Sequence, residues 1–278
     1  MKKIPGFNRA CLIFLVSFLV LGMPGAWSAA ERKPFDHSAL DRFLKKYVDE
    51  KGAFDFRAAK QDPALLDEYL GQIENVNLIE LVIWPREEKL AFWLNAYHAG
   101  LLKAILDHYP IRSVHDIPGI WEVPLVLIGG RRFSLNAIQT QQLIDVFRDE
   151  KIHCALACSG KSCPPFQTEA FTGPRVEGQL FMATRRFVND DRYNKIVPGK
   201  NKIWLSHIFR WYAGDFTLDF GRAENMLELS DKDAAILSFI AYYLEDVDKV
   251  EFLEKGKYRI RYLSFDWTLN EPTQQPAT

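Results

Sequence analysis

The sequence lacks the features that mark several common classes of protein. It contains 4 cysteines in 278 residues and has a formal net charge of −1. No basic block or stripe stands out, so nucleic acid is not an expected partner. Neither a phosphate-binding loop nor a dinucleotide fingerprint occurs, and the Gly-x-Ser-x-Gly elbow of serine hydrolases is missing. We therefore expect no cofactor and no serine-hydrolase chemistry.

Long apolar runs are also missing, except near the N-terminus. A basic start precedes the apolar run Leu12–Leu21, which has the length of a secretory signal rather than of a membrane span. Ala26 and Ser28 supply small residues at the −3 and −1 positions of a cleavage site. We expect a signal peptide over residues 1–28, a periplasmic or secreted location, and no stable membrane span after cleavage. The alternative is an uncleaved N-terminal anchor.

The rest of the sequence predicts an α+β fold. A helix from Pro85 to about Tyr109 is apolar over much of its circumference, so we expect it at the centre of the fold. Gly129-Gly130, between two short apolar runs, predicts a tight β-hairpin. The runs Ile152–Ala157 and Val250–Leu253 predict further strands. Helices and strands mix without a regular βαβ rhythm, which favours a central buried helix packed on a mostly antiparallel sheet.

The same pattern divides the chain into regions. Residues 29–84 are predicted as an N-terminal helical region and residues 85–270 as the core domain. Residues 271–278 contain no apolar anchor and are predicted as a disordered tail. The sequence does not predict an oligomeric state.

One short segment gathers most of the chemistry-bearing side chains. Cys154, Cys158 and Cys163 fall within ten residues, and His153 directly precedes the first of them. If Ile152–Ala157 is a strand, His153 and Cys154 point to opposite faces of it. A loop that follows a buried strand is a common place for function.

A thiol-dependent site is one interpretation of this segment. A cysteine attacks as the thiolate, so it needs a nearby cation, imidazolium or helix N-terminus. We expect Cys163 or Cys158 as the nucleophile and His153 as the general base. Pro164-Pro165 favours Cys163 slightly, because these prolines can begin a helix whose N–H groups point at the sulfur.

Other interpretations remain open at this point. Export favours a Cys158–Cys163 disulfide, which would leave Cys154 as a small apolar core residue. The same two cysteines can also form a reversible, redox-active pair. A metal site is disfavoured, because the cysteines lack the paired Cys-x-x-Cys spacing of structural zinc sites.

Four motifs occur in order along the chain and carry a resemblance to a known family. They are Ala91-Phe92-Trp93-Leu94-Asn95-Ala96-Tyr97; Ile152-His153 with Cys158 and Ser162-Cys163-Pro164-Pro165; Trp211-Tyr212 with Asp215-Phe216; and Asp266-Trp267-Thr268-Leu269-Asn270. Together they resemble the family named domain of unknown function 547. By analogy, the resemblance implies a papain-like or transglutaminase-like fold. The family pattern has a Glu-His pair where this chain has Gln139-Thr140.

Two groups of side chains are candidates for binding a small-molecule or peptide-like ligand. Asn95 and His98 share a face of the predicted central helix, so we expect them to line a pocket together. Asp215 lies among aromatic residues, a setting that can raise the pKa of a carboxyl group. The predicted aromatic walls of a cleft are Trp93, Trp211, Tyr212 and Trp267.

The sequence thus supports two functional hypotheses of different classes. The first is a thiol-dependent hydrolase or transferase acting on a thiol, amide or peptide-like substrate, with Asn95 or backbone N–H groups stabilising an oxyanion. The second is a non-catalytic binding module with a Cys158–Cys163 disulfide and an aromatic cleft. Gln139 favours the second, since a glutamine forms hydrogen bonds but carries no charge.

Overall fold

The computed structural model describes residues 33–200, 202–221, 229–255 and 258–273, and most of this backbone is helical. The predicted signal peptide and residues 274–278 of the predicted tail lie outside the described residues. The first helices are α1 (Ser38–Tyr47), α2 (Phe56–Gln61), α3 (Ala64–Glu74), α4 (Leu78–Val82) and α5 (Arg86–His108). The hairpin strands β1 (Val126–Ile128) and β2 (Arg131–Phe133) follow.

The second half of the described chain continues with short helices and one further pair of strands. A helical stretch runs through α6 (Leu135–Ala137), a π-helical segment (Ile138–Ile144) and α7 (Asp145–Phe147). Then come α8 (Lys151–Ala155), α9 (Val176–Asn189), β3 (Lys202–Leu205), α10 (His207–Trp211), α11 (Asp231–Tyr243), α12 (Val247–Glu254) and β4 (Arg259–Tyr262). Within the described ranges, no helix combines the length and the apolar content needed to cross a membrane.

Helix α5 forms the centre of the main core, as its sequence predicts. Pro85 occupies the N-cap position, and Glu87 and Glu88 follow in the first turn. Their negative charges interact favourably with the positive end of the helix dipole. Of its 23 residues, 16 are buried. Leu40 and Phe43 of α1 belong to the same apolar cluster as the residues of α5, so the N-terminal helices share this core.

The sheets are smaller than the sequence predicts. β1 and β2 form an antiparallel hairpin, while β3 and β4 form a separate parallel pair. The mostly antiparallel sheet expected against α5 is therefore reduced, in the part of the chain that the structure describes, to the β1–β2 hairpin. The α+β class is confirmed, with helices dominating.

Two predicted strands are helices instead. Ile152–Ala157 was expected to be a strand, but most of it lies in α8, whose first backbone N–H groups bond to Asp149. Val250–Leu253 lies within α12, where Asp246 caps the helix by accepting from two backbone N–H groups. A short apolar run fits a buried helix as well as a strand, and the hydrogen bonds that Asp149 and Asp246 accept from the first backbone N–H groups favour the helix. The argument that His153 and Cys154 lie on opposite faces of a strand is therefore wrong.

A second apolar cluster packs around α9, α10 and α11. Its large side chains include Phe187, Phe209 and Phe239. Cys154 belongs to this second cluster, whereas Ile152, on the same short helix, belongs to the first. Helix α8 thus lies at the junction of the two clusters.

The loop that follows α8 is held from two sides. On one side, the N–H of Phe166 donates to the carbonyl of Gly52, and Gly52 has a positive φ of 76°. On the other side, the backbone N–H of Lys161 donates to the carbonyl of Thr268, and the backbone N–H of Asn270 donates to the carbonyl of Ser159. The cysteine-bearing loop is therefore pinned between the turn after α1 and the C-terminal segment.

Replacing Gly52 with alanine tests this anchoring. A Cβ there would lie 2.4 Å from Cβ of Pro165 and 2.9 Å from the carbonyl oxygen of Phe166. An alanine at this position would also be strained by the left-handed backbone. We therefore expect Gly52→Ala to lower the free energy of unfolding by about 2–4 kcal/mol in urea denaturation.

Gly71→Ala provides the matched control, because a Cβ at Gly71 meets nothing within 4 Å. In the middle of α3 this change should raise the free energy of unfolding by up to about 1 kcal/mol through helix propensity. Equal effects of the two substitutions would contradict the anchoring at Gly52.

Candidate functional site

A cleft of about 300 Å³ opens where the two apolar clusters meet. Its buried floor consists of Tyr97, His153, Leu156 and Ile208. Its half-buried and exposed walls are His115, Trp121, Glu122, Asn136, Gln139, Cys158, Trp211, Tyr212 and Trp267. A concave site with apolar and aromatic walls and a few polar groups is the usual form of a small-molecule site.

Indole rings dominate one wall of the cleft. Trp211 and Trp267 are stacked with their centroids 5.8 Å apart, and Trp121 lies 6.5 Å from Trp267. The ring of His115 meets Trp267 edge to face at 4.4 Å. Trp211 is nevertheless 46% exposed, so an aromatic surface that faces solvent remains available inside a concavity.

Polar and stacking contacts connect His153, Tyr212 and Gln139 in the lining of the same cleft. His153 Nε2 lies 2.8 Å from Oδ2 of Asp215. The Tyr212 ring stacks on the imidazole at 4.0 Å, and Gln139 Nε2 donates to the Tyr212 hydroxyl at 2.8 Å. Burial raises the pKa of Tyr212, although the hydrogen bond from Gln139 partly opposes this shift. Tyr212 is therefore a neutral phenol whose ring is held by His153 and whose hydroxyl is held by Gln139.

The Asp215 contact also determines the tautomer of His153. Because a carboxylate only accepts hydrogen bonds, Nε2 is the nitrogen that carries a proton here. Nδ1 of His153 is buried and has no hydrogen-bond partner among the described residues. The pair has the form of a base oriented by a carboxylate, as in nucleophilic enzymes.

The cysteines adopt the disulfide alternative. Cys158 and Cys163 are joined, with their Cα atoms 5.4 Å apart, and Cys154 is a buried free thiol. Burial raises the pKa of the Cys154 thiol, so Cys154 acts as a small core residue rather than as a nucleophile. In this oxidised state neither Cys158 nor Cys163 carries a thiol. Cys158 lines the cleft, whereas Cys163 is almost fully buried.

Three predicted binding residues lie away from the cleft. Asn95 is 1% exposed, and its side chain both donates to and accepts from the backbone of Phe171. His98 accepts a hydrogen bond from the N–H of Ala157, and burial lowers its pKa to about 4. Trp93 packs in the core. Asn95 and His98 are thus satisfied core groups, and the amide of Asn95 is not free to stabilise an oxyanion.

Comparison with known proteins gives one match. Residues 81–188 match the family described as "Protein of unknown function, DUF547". We call residues 81–188 the DUF547 segment. Searches among curated proteins and among solved structures returned no match. The family resemblance predicted from the motifs is confirmed over this part of the chain.

The DUF547 segment supplies only part of the cleft. Tyr97, His153 and Cys158 come from within it, whereas Trp211, Tyr212 and Trp267 come from the chain that follows. The sequence analysis assigned the last three to the walls of a cleft and His153 and Cys158 to a catalytic site, and the structure places all five in the lining of one cavity.

Several cleft residues were not predicted from the sequence. His115, Trp121 and Glu122 lie between α5 and the hairpin, in a stretch of the DUF547 segment without a recognisable motif. Their local signal was a tryptophan beside a carboxylate in a loop that contains prolines and a glycine. Within the described ranges, no group of three or more His, Cys, Asp or Glu side chains is arranged to hold a metal ion.

The buried histidines predict a pH dependence of stability. Burial lowers the pKa of both His37 and His98 to about 4, below the unfolded value of about 6.5. Their folded pKa values are depressed, so the unfolded chain binds protons first as the pH falls. The stability is therefore fully present above pH 6.5 and is lost between pH 6.5 and 4, by about 2 kcal/mol per histidine at pH 5.

Urea denaturation of wild type and His37→Gln at pH 7, 6 and 5 checks this expectation. The variant lacks one of the two titrating groups, so its free energy of unfolding should fall less steeply with decreasing pH. The pH slopes of the unfolding free energy of the two proteins should differ by an amount that corresponds to nearly one bound proton per molecule. Identical slopes for the two proteins would show that His37 is not held neutral by burial.

Proposed function

We propose that this protein is a binding module whose aromatic cleft holds a small-molecule or peptide-like ligand. The observation that carries the proposal is the stacked pair Trp211 and Trp267, which is partly exposed inside a cleft of about 300 Å³. Exposed aromatic surface is costly in water, and where it lines a concavity it commonly marks a binding site.

The rigidity of the cleft supports binding. The disulfide closes the loop next to Cys158, and Tyr212 is held by stacking on His153 and by the hydrogen bond from Gln139. A wall that is fixed before the ligand arrives loses less conformational entropy on binding. Gln139 performs this supporting role without a charge, which suits a structural rather than a catalytic position.

A second candidate is thiol-dependent hydrolysis or transfer on a thiol, amide or peptide-like substrate. One observation favours it: Cys158 and His153 line the same cleft, and Asp215 orients the imidazole. This chemistry first requires a dithiol to reduce the disulfide, which leaves thiols on Cys158 and Cys163 and oxidises the dithiol. Cys158 would then be the more accessible nucleophile. A papain-like or transglutaminase-like fold would suit this candidate by analogy alone.

Export to the periplasm or secretion is part of the proposal. It is supported by the signal-like start of the sequence and by the chemistry of the cysteine loop, because disulfides persist mainly in oxidising compartments. Recovery of the protein from the periplasmic or extracellular fraction of cells that express the full chain tests this location.

A ligand screen with an NMR readout tests the binding function. We expect compounds that bind to shift the indole N–H signals of Trp121, Trp211 and Trp267 together. The substitution Trp211→Leu should weaken such binding by about tenfold, as removal of an aromatic contact at an interface does.

Tyr242→Leu serves as the matched control, since Tyr242 is 68% exposed on α11 and does not line the cleft. This variant should bind as the wild type does. The binding function fails if no compound perturbs the three indole signals, or if Trp211→Leu and Tyr242→Leu have the same effect.

A further inference from the structure

A carboxylate that forms no ion pair with a described residue lies at the rim of the cleft. Glu122 is exposed, and its hydrogen bond within the described residues comes from the side-chain amide of Asn136, at 3.4 Å. No lysine or arginine lines the cleft among the described residues. Among the described residues that line this cavity, Glu122 is therefore the one formal charge of fixed sign.

The aromatic walls add to the same electrostatic preference. The faces of indole and phenol rings carry the negative part of the ring quadrupole, and tryptophan attracts cations best. Trp121, Trp211, Tyr212 and Trp267 all contribute to the lining. A cation that enters the cleft would meet both π faces and the carboxylate, whereas an anion would find no positive side chain of fixed charge to pair with it.

The supply of hydrogen-bond acceptors narrows the kind of cation. A primary ammonium has three N–H donors, and each of them needs a partner once water is removed. The aromatic rings in the lining offer π faces rather than lone pairs, so a primary ammonium packed against them would lose water without gaining a strong acceptor for each N–H. An alkylated ammonium is weakly hydrated and lacks these donors, so the aromatic walls can replace its water at a lower cost.

We infer that the cleft recognises an alkylated ammonium group, such as a quaternary ammonium headgroup carried on a small molecule. This inference rests on the proposed binding function and adds to it the chemical class of the ligand. Quaternary ammonium groups bind in cages of aromatic rings through cation–π attraction. Glu122 adds a Coulomb attraction that operates at the rim, where added salt screens it.

The test compares three probes of nearly the same shape on the full-length protein. Choline carries the quaternary nitrogen, 3,3-dimethylbutan-1-ol replaces that nitrogen with carbon, and 3,3-dimethylbutyrate is the matching anion. Titrations are followed through the tryptophan indole N–H signals. We expect choline to bind at least about tenfold more tightly than the alcohol, and the anion to bind most weakly.

Glu122→Gln tests whether the charge of the carboxylate contributes to choline binding. It should weaken choline binding by about three- to tenfold and leave the affinity for the alcohol unchanged. Added salt should weaken choline binding to the wild type more than to the variant. Glu251→Gln is the matched control, because Glu251 is an exposed carboxylate on α12 that does not line the cleft, and it should bind choline as the wild type does.

The possible outcomes separate this inference from the proposed function. If the alcohol or the anion binds as tightly as choline, the charge preference is overturned while the binding function stands. The same holds if screened compounds bind at the three indoles but choline does not. If neither these probes nor any screened compound perturbs the indoles, the binding function itself fails.

Discussion

Two buried polar side chains of α5 need hydrogen-bond partners, and this need determines where the neighbouring loops lie. Asn95 and His98 are buried on a helix that is surrounded by apolar side chains. Leaving such groups unpaired would cost about 1–3 kcal/mol each. Asn95 therefore binds the backbone of Phe171, and His98 binds the N–H of Ala157. These two contacts hold the chain before and after the cysteine loop against the same helix that supplies Tyr97 to the cleft.

The cleft follows from the way this loop is joined to distant segments. Isolated bridges pair Gly160 with Leu269 and Ser113 with Thr268, so the C-terminal segment lies between the cysteine loop and the stretch after α5. Trp267 lies next to these bridges and reaches His115, Trp121 and Trp211. The disulfide keeps the loop closed while the indoles form the wall. A site built in this way is set by packing before any ligand is present, which is what we propose for a binding module.

Local sequence predicted the elements whose signals are strong and failed where the outcome depends on distant contacts. Helix α5 was predictable from Pro85 and its long apolar pattern, and the hairpin from Gly129-Gly130. The run Ile152–Ala157 was misassigned, because a run of six residues with five apolar side chains fits either a strand or a buried helix. Asn95 and His98 were correctly placed on one buried helix. Their partners could not be predicted, since both are backbone groups more than fifty residues away.

The residues of the cleft illustrate the same limit. His115, Trp121 and Glu122 carry no motif, and only the folded chain brings them to Trp267.

The most direct measurement is a thiol count with peptide mapping, on protein isolated without reductant and labelled before and after denaturation. The account predicts that Cys154, Cys158 and Cys163 do not react in the native protein and that denaturation exposes Cys154 alone. A native thiol at Cys158 or Cys163 that reacts rapidly well below the ordinary cysteine pKa of about 8.5 would contradict it.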